Sequence, residues 1–179
     1  KMINTSVSIN DKPSAFRYPR GSGIGIELPN EDEKLIIGKG KFIKEGKKVA
    51  LVNFGARLQE CLITEKNLSK KGISTTVFDA RFAKPLDENS LWQIATNHDV
   101  IITIEEGSIG GFGSHVNHFL NEKNLLDKDT KFRSMILPDL FIDQDKPENM
   151  YKVAGLDSIS IENKVIDTLN SKVILKKTN

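Results

Sequence analysis

At 179 residues the chain is long enough for one α/β domain of ordinary size with about 30 residues to spare. Hydrophobic residues at 38% and charged residues at 28% exclude a disordered chain and a fibre. Apolar runs such as Val100-Ile101-Ile102-Thr103-Ile104 fall far short of the roughly 20 residues a bilayer span requires. The 26 basic and 24 acidic residues leave a net charge of +2, and the basic ones are spread along the chain, which argues against a nucleic-acid face or a polybasic membrane anchor.

Residues 1–34 do not read as the start of a self-contained domain. Pro13 and Pro19, then Gly21-Ser22-Gly23, Gly25 and Pro29, lead into the acidic run Glu31-Asp32-Glu33, the composition of a linker. From Leu35 onward, short apolar runs alternate with amphipathic stretches of helical length, the pattern of β-α-β units. Residues 35–37 and 41–43, with Gly38 and Gly40 between them, predict an irregular edge element. Residues 48–54 (KVALVNF) predict a buried strand, residues 56–69 a helix stopped by Gly72, and residues 73–79 a second strand rich in β-branched side chains. Pro85-Leu86-Asp87 opens a helix over residues 88–97, with Asp87 as its N-cap. Residues 99–105 predict the most apolar strand. A glycine-rich turn at residues 107–113 leads into a helix over about 114–121, and residues 132–137 predict a further strand broken by Pro138. A short helix near residues 147–153 and a final amphipathic helix from Ser158 to about Leu175 complete the pattern. The expected fold is a three-layer α/β/α sandwich around a mostly parallel sheet of about five strands, one of them antiparallel at the edge. Its strand cores are residues 49–53, 75–78, 101–104 and 133–136.

Several residues invite a chemical reading. In Phe16-Arg17-Tyr18-Pro19-Arg20-Gly21, Pro19 stiffens the backbone and Gly21 permits close approach, so Arg20 can offer its planar fork of donors to a phosphate, although on spacing alone a carboxylate partner at a domain edge is the better reading. Gly107-Ser108-Ile109-Gly110-Gly111-Phe112-Gly113 follows a strand and opens a helix, where anions bind. It lacks the lysine ending of a nucleotide loop and also fits a tight packing turn. Glu105-Glu106 stand at the carboxyl end of a strand, where α/β folds place chemistry, although one of them capping the helix or pairing with a lysine explains them as well. His115 and His118 have a spacing compatible with metal ligation but no regularly placed third ligand, so two surface or satisfied histidines are the better reading. His98 ends a helix, where the dipole favours an imidazolium. Cys61, the single cysteine, excludes a disulfide framework and reads as a small buried residue on a helix. With no charged-then-apolar leader at Lys1-Met2-Ile3-Asn4, the expected setting is reducing and cytoplasmic.

Taken together, several segments resemble one family, 1-deoxy-D-xylulose-5-phosphate synthase, a thiamine-diphosphate enzyme related to transketolase. They are Pro13-Ser14-Ala15-Phe16-Arg17-Tyr18-Pro19-Arg20-Gly21, Ile37-Gly38-Lys39-Gly40, Asn53-Phe54-Gly55 and Asp79-Ala80-Arg81-Phe82-Ala83-Lys84-Pro85-Leu86-Asp87. Glu105-Glu106-Gly107 with Gly110-Gly111-Phe112-Gly113-Ser114, Leu137-Pro138-Asp139 to Gln144, and Gly155-Leu156-Asp157 follow in family order.

The resemblance implies that residues 1–34 are the last strand and tail of a preceding pyrimidine-binding domain with its linker, and residues 35–179 a transketolase C-terminal-like domain. It implies a parent enzyme, a cytoplasmic homodimer, that condenses pyruvate with glyceraldehyde 3-phosphate to 1-deoxy-D-xylulose 5-phosphate, for isoprenoid, thiamine and pyridoxal synthesis. Thiamine diphosphate and Mg2+ would be bound by domains upstream of this chain, so no catalytic, cofactor or metal residue falls here and the isolated chain would be inactive. The one role carried over is that of Arg20, as a ligand of the glyceraldehyde 3-phosphate phosphate. Two rivals remain: a non-catalytic dimerisation or assembly module, and the beta subunit of a 2-oxo acid dehydrogenase, which would require a separate alpha chain.

Overall fold

The computed structural model describes residues 1–19, 23, 25, 27, 30, 33–127 and 129–171. Eleven elements follow in order: α1 (Met2–Val7), β1 (Lys41–Lys44), β2 (Val49–Phe54), α2 (Leu58–Lys70), β3 (Thr75–Asp79), α3 (Glu88–Asn97), β4 (Val100–Glu105), α4 (Phe112–Glu122), β5 (Lys131–Met135), α5 (Pro147–Val153) and α6 (Ser158–Asn170). No helix among the described residues is long and apolar enough to cross a membrane.

The strands form one sheet in the order β1-β3-β2-β4-β5. β2 pairs in parallel with β3 and β4, and β4 with β5, while β1 is antiparallel to β3 with a bulge between Phe42 and Lys44. The expected strand cores lie in this sheet, three in full and the fourth, residues 133–136, as far as Met135, and the expected irregular edge is its antiparallel strand. Alternation of side chains builds two cores from each central strand. Val49, Leu51, Ile102 and Ile104 face α2 and α6, where Cys61, Leu68, Ile161 and Val165 complete one cluster. Ala50, Val52 and Ile101 face α3 and α4, packed with Leu91, Ile94, Val116 and Leu120. Both faces of β2 and β4 are buried, as the unbroken apolar runs require. Cys61 is a fully buried part of the first cluster, and burial pushes its thiol up to about 12, with Glu60 adding to the rise and Arg57 opposing it.

Residues 1–34 depart from the expectation of a strand. Their described part holds the helix α1 and no strand. A single strand has no ladder partner in this stretch, whereas a helical turn satisfies its own backbone. Thr5 N and Thr5 Oγ1 both donate to the Lys1 carbonyl at 2.9 Å, and Thr5 Oγ1 in turn accepts from Leu35 N at 2.8 Å. An ion pair between Lys1 and Glu33 closes the same loop.

Other element ends shift by a residue or two. β5 stops at Met135 because Leu137 N leaves the ladder for the Gly107 carbonyl at 2.8 Å. α6 ends at Asn170, and the rest of the helix expected to about Leu175 lies outside the described residues beyond Ser171. α6 has no basic residue in its last turn. Instead Lys131, at the start of β5, donates Nζ to the carbonyls of Thr168 (3.0 Å), Leu169 (3.1 Å) and Ser171 (2.6 Å), which satisfies orphan acceptors at the negative end of the helix.

Candidate functional site

Two segments quoted above, Ile37-Gly38-Lys39-Gly40 and Asp79 to Asp87, meet in space. Asp87 is the N-cap of α3 as expected, accepting from Ser90 N at 3.3 Å and Ser90 Oγ at 2.9 Å. The same carboxylate accepts from Gly40 N at 3.0 Å and Lys39 Nζ at 3.2 Å. Gly38 has φ +72°, and a Cβ there would meet Pro85 Cγ at 2.8 Å, while a Cβ on Gly40 would enter the Phe78 ring. The glycines thus allow the edge segment to lie against the start of α3. Burial pushes the Asp87 carboxyl up, but its hydrogen bonds from Gly40, Ser90 and Lys39 outweigh this and hold it below its ordinary value.

A carboxyl held low in the folded state takes up a proton on unfolding in acid, so stability rises with pH through that window. The contribution of Asp87 is fully present above the ordinary Asp range near pH 4 and is lost as pH falls through the lower folded value. Asp87→Asn is expected to lower stability at neutral pH and to flatten the decline below about pH 4. Denaturant melts of both proteins across that range are the check, and equal slopes would remove Asp87 from the acid response.

The carboxyl ends of β2 and β4 form the topological switch point of the sheet, because the chain leaves β2 towards β3 and β4 towards β5; open α/β sheets bind ligands in this crevice. Here the chain fills it with its own side chains. Glu105, 4% exposed, turns back onto the N-terminus of α4. Its Oε2 accepts from Phe112 N at 2.9 Å and its Oε1 from Gly113 N at 2.7 Å. A Cβ on Gly107 or Gly111 would strike this carboxylate, at 2.5 Å for Gly111. The glycine-rich turn is therefore shaped around an internal anion. It is a packing turn, and the seat a ligand anion would take is filled by Glu105. Because that cap comes from the strand, α4 starts at Phe112, two residues before the expected Ser114.

Glu106 spans the crevice. Its Oε1 accepts from Arg57 Nε at 2.7 Å, linking the residue before α2 to the end of β4, so the expected lysine partner is an arginine. The Arg57 guanidinium lies 3.5 Å from the centroid of the Tyr151 ring in α5. Burial raises the Tyr151 hydroxyl, the Glu106 carboxylate beside it adds to the rise, and Arg57 opposes it. Beneath, Phe54 and Phe112 stack at 4.8 Å. Asn53 Nδ2 donates to the Gly55 carbonyl at 2.9 Å, while its fully buried Oδ1 has no partner among the described residues. Arg81 follows β3 with φ +60°, rare for a residue with a Cβ, and donates Nε to Asp79 Oδ2 at 3.1 Å.

The remaining candidates do not converge. Arg20 lies outside the described residues. His115 is half-buried and His118 exposed on α4, and no three His, Cys, Asp or Glu side chains come together as a ligand set among the described residues. His98 is buried at the end of α3, with Nδ1 donating to the Ile94 carbonyl at 2.8 Å and Nε2 paired with Thr76 Oγ1 at 2.7 Å. The N-terminus of α4, where a ligand anion could sit, is taken by Glu105. Arg57 and Tyr151 escaped the sequence reading: no local pattern marks Arg57 as the partner of Glu106 across 49 residues of chain, or Tyr151 as the ring it covers.

The transketolase C-terminal domain model matches residues 38–161. Among solved structures, the chain resembles split-gene transketolase in its inactive beta4 tetramer, with 28% identity and a TM-score of 0.70 over 80% of this chain and 46% of that one. Transketolase from Campylobacter jejuni subsp. jejuni matches at 16% identity and a TM-score of 0.53, covering 73% of this chain and 18% of that one. A mutant transketolase from Pichia stipitis matches at 14% identity and 0.53, over 74% and 18%. The chain thus spans under half the length of each of these relatives. With its five-stranded, mostly parallel sheet between two helical layers, and a family match over most of its length, the chain belongs to the transketolase C-terminal domain family.

Proposed function

We propose that this chain is the C-terminal part of a thiamine-diphosphate-dependent synthase that joins pyruvate to glyceraldehyde 3-phosphate, with loss of CO2, to give 1-deoxy-D-xylulose 5-phosphate. The observation that carries the reading is the interlocking of its characteristic segments. Asp87 ends one block and holds Gly40 and Lys39 of another, so residues 47 and 48 positions apart in sequence serve one piece of architecture. Membership of the transketolase C-terminal domain family supports a parent enzyme of the thiamine-diphosphate class. Magnesium and the cofactor would be held by domains on the same polypeptide outside this chain, whose own residues then bind substrate and build the assembly. A self-filled crevice at the switch point, with Glu105 and Glu106 each committed to internal partners, agrees with a domain that takes no part in the chemistry. Split-gene transketolase, of which this chain covers 46%, forms an inactive beta4 tetramer, and we extend self-association to this chain.

Arg20 is the residue that tests the reading. If it binds the acceptor phosphate, a charge-assisted contact is worth about 1.5–3 kcal/mol, so Arg20→Ala in the whole enzyme is expected to lower kcat/KM for glyceraldehyde 3-phosphate by roughly 10- to 150-fold. The pyruvate KM and cofactor affinity should hardly move. Arg20→Lys should recover only part of the loss, because a point charge replaces a fork. Equal losses with phosphorylated and unphosphorylated aldehydes, or a comparable rise in pyruvate KM, would assign Arg20 to structure instead.

A further inference from the structure

The amino-terminal end of the sheet holds a buried polar cluster that the crevice at the other end does not involve. Four contacts meet there, and each needs a proton of its own. His98 Nδ1 lies 2.8 Å from the Ile94 carbonyl, and His98 Nε2 lies 2.7 Å from Thr76 Oγ1. Gly46 N is 2.8 Å and the Gly46 carbonyl oxygen 3.1 Å from the same hydroxyl. A carbonyl can only accept, so Nδ1 carries a proton. In a neutral ring Nε2 is then a bare acceptor that takes the one hydroxyl proton of Thr76, and the Gly46 carbonyl is left without a donor among the described residues. In an imidazolium Nε2 donates to the hydroxyl, the hydroxyl donates to the Gly46 carbonyl, and all four contacts are hydrogen bonds at once.

We propose that His98 is a proton-operated latch on the turn at residues 45–47, the Thr76 hydroxyl turning its proton from the ring to the Gly46 carbonyl when the ring gains a second proton. The latch is closed with the imidazolium, where two hydrogen bonds hold Gly46, and released with the neutral ring, where one does. What it controls lies beside it. The turn walls a cavity of about 350 Å³ whose other sides are Phe42, Gln93, Asn97 and His98 itself, so release of Gly46 frees one wall of that cavity. The charges facing the ring are few. Glu45 and Lys47, one of each sign, line the cavity from the turn, and Asp99, next in the chain, is exposed. β3 presents Thr76, β1 presents Phe42, and Thr130, ahead of β5, meets the His98 carbonyl with its hydroxyl, all of them uncharged. α3 turns the negative end of its dipole to the ring. The inference is independent of the reaction assigned to the parent enzyme.

NMR spectra of the ring nitrogens and backbone carbonyl carbons of the 179-residue chain, recorded in steps from about pH 5 to 8, test it. The ring nitrogens report the proton on His98, and the Gly46 carbonyl carbon reports its hydrogen bond. The two are expected to move with one midpoint. Exchange of the Gly46 amide, corrected for its intrinsic rate, should be roughly 2- to 12-fold slower with the imidazolium, the factor that one added hydrogen bond supplies. Thr76→Val has a similar outline and no hydroxyl, so the ring should still titrate while the Gly46 carbonyl stays still. Thr76→Ser, which keeps the hydroxyl, should restore the common midpoint. A ring that holds one protonation state across this range, or a Gly46 carbonyl that does not follow it in the wild type, would overturn the latch. So would a carbonyl that follows the ring equally in Thr76→Val, since the hydroxyl would then carry nothing.

Discussion

Replacing Glu105 by Gln is expected to cost the domain about 3 kcal/mol, although the two side chains have nearly the same shape. The carboxylate offers an acceptor oxygen to each of two backbone N–H groups, Phe112 and Gly113, at 2.9 and 2.7 Å. An amide offers one oxygen, and its NH2 must face the other N–H in a buried site. One hydrogen bond is lost, a donor is left unsatisfied at about 1–3 kcal/mol, and the favourable charge at the positive end of α4 disappears, worth a further 0.3–1 kcal/mol or so. The sum lowers Tm by roughly 6–12 °C for a chain of this size. Glu106→Gln should cost much less, because its partner Arg57 reaches solvent and the hydrogen bond survives with an amide oxygen. Urea or thermal melts of the two variants are the check. A Glu105→Gln loss below about 1 kcal/mol would show that the glycine turn holds α4 without the carboxylate.

Gly46→Ala is expected to be about as damaging, for a different reason. A Cβ at Gly46 would lie 2.5 Å from both the backbone N and C of Thr75, closer than atoms can pack. Thr75 cannot give way, since it opens β3 and pairs with Val49 in the middle of the sheet. Nor can Gly46 withdraw cheaply. Its N–H donates to Thr76 Oγ1 at 2.8 Å and its carbonyl accepts from the same hydroxyl at 3.1 Å, and that hydroxyl is the partner of the buried His98. Relief of the clash breaks this network, for a combined loss of about 3 kcal/mol. Gly72→Ala supplies the contrast, with φ +74° and open space around its Cβ. Backbone strain alone applies there, about 1 kcal/mol. Denaturation midpoints should rank wild type, Gly72→Ala, Gly46→Ala in falling order, and the reverse ranking of the two variants would mean that the 45–47 turn yields.

What could be read in advance follows from where the determining contact lies. The span of α3 was legible because its start signal, Pro85-Leu86-Asp87, is local and Asp87 caps three residues ahead. The central strands were legible because burial on both faces demands the unbroken runs at 49–52 and 100–102. The start of α4 was misplaced because its cap lies seven residues upstream, on a strand. α1 was missed because six residues are too few for a helical period to show, and Ile3, Thr5 and Val7 favour a strand by composition. The filling of the switch-point crevice could be read only in part: a glutamate cap on α4 was legible, but the bridge across the crevice was not. It depends on Arg57, Glu106 and Tyr151, which share no spacing and meet only once β2, β4 and α5 are in place.

Lys131 joins two elements that would otherwise open separately. β5 is an outer strand with a single neighbour, and α6 is the last helix described; on position alone each would fray by itself. With one ammonium holding three carbonyls at the end of α6, the strand cannot peel from β4 without uncovering the helix terminus, and the helix end cannot unwind without stranding the lysine. The two become one cooperative opening unit, so amide exchange in the last turn of α6 and along β5 is governed by a common opening free energy rather than by the separate exposure of each.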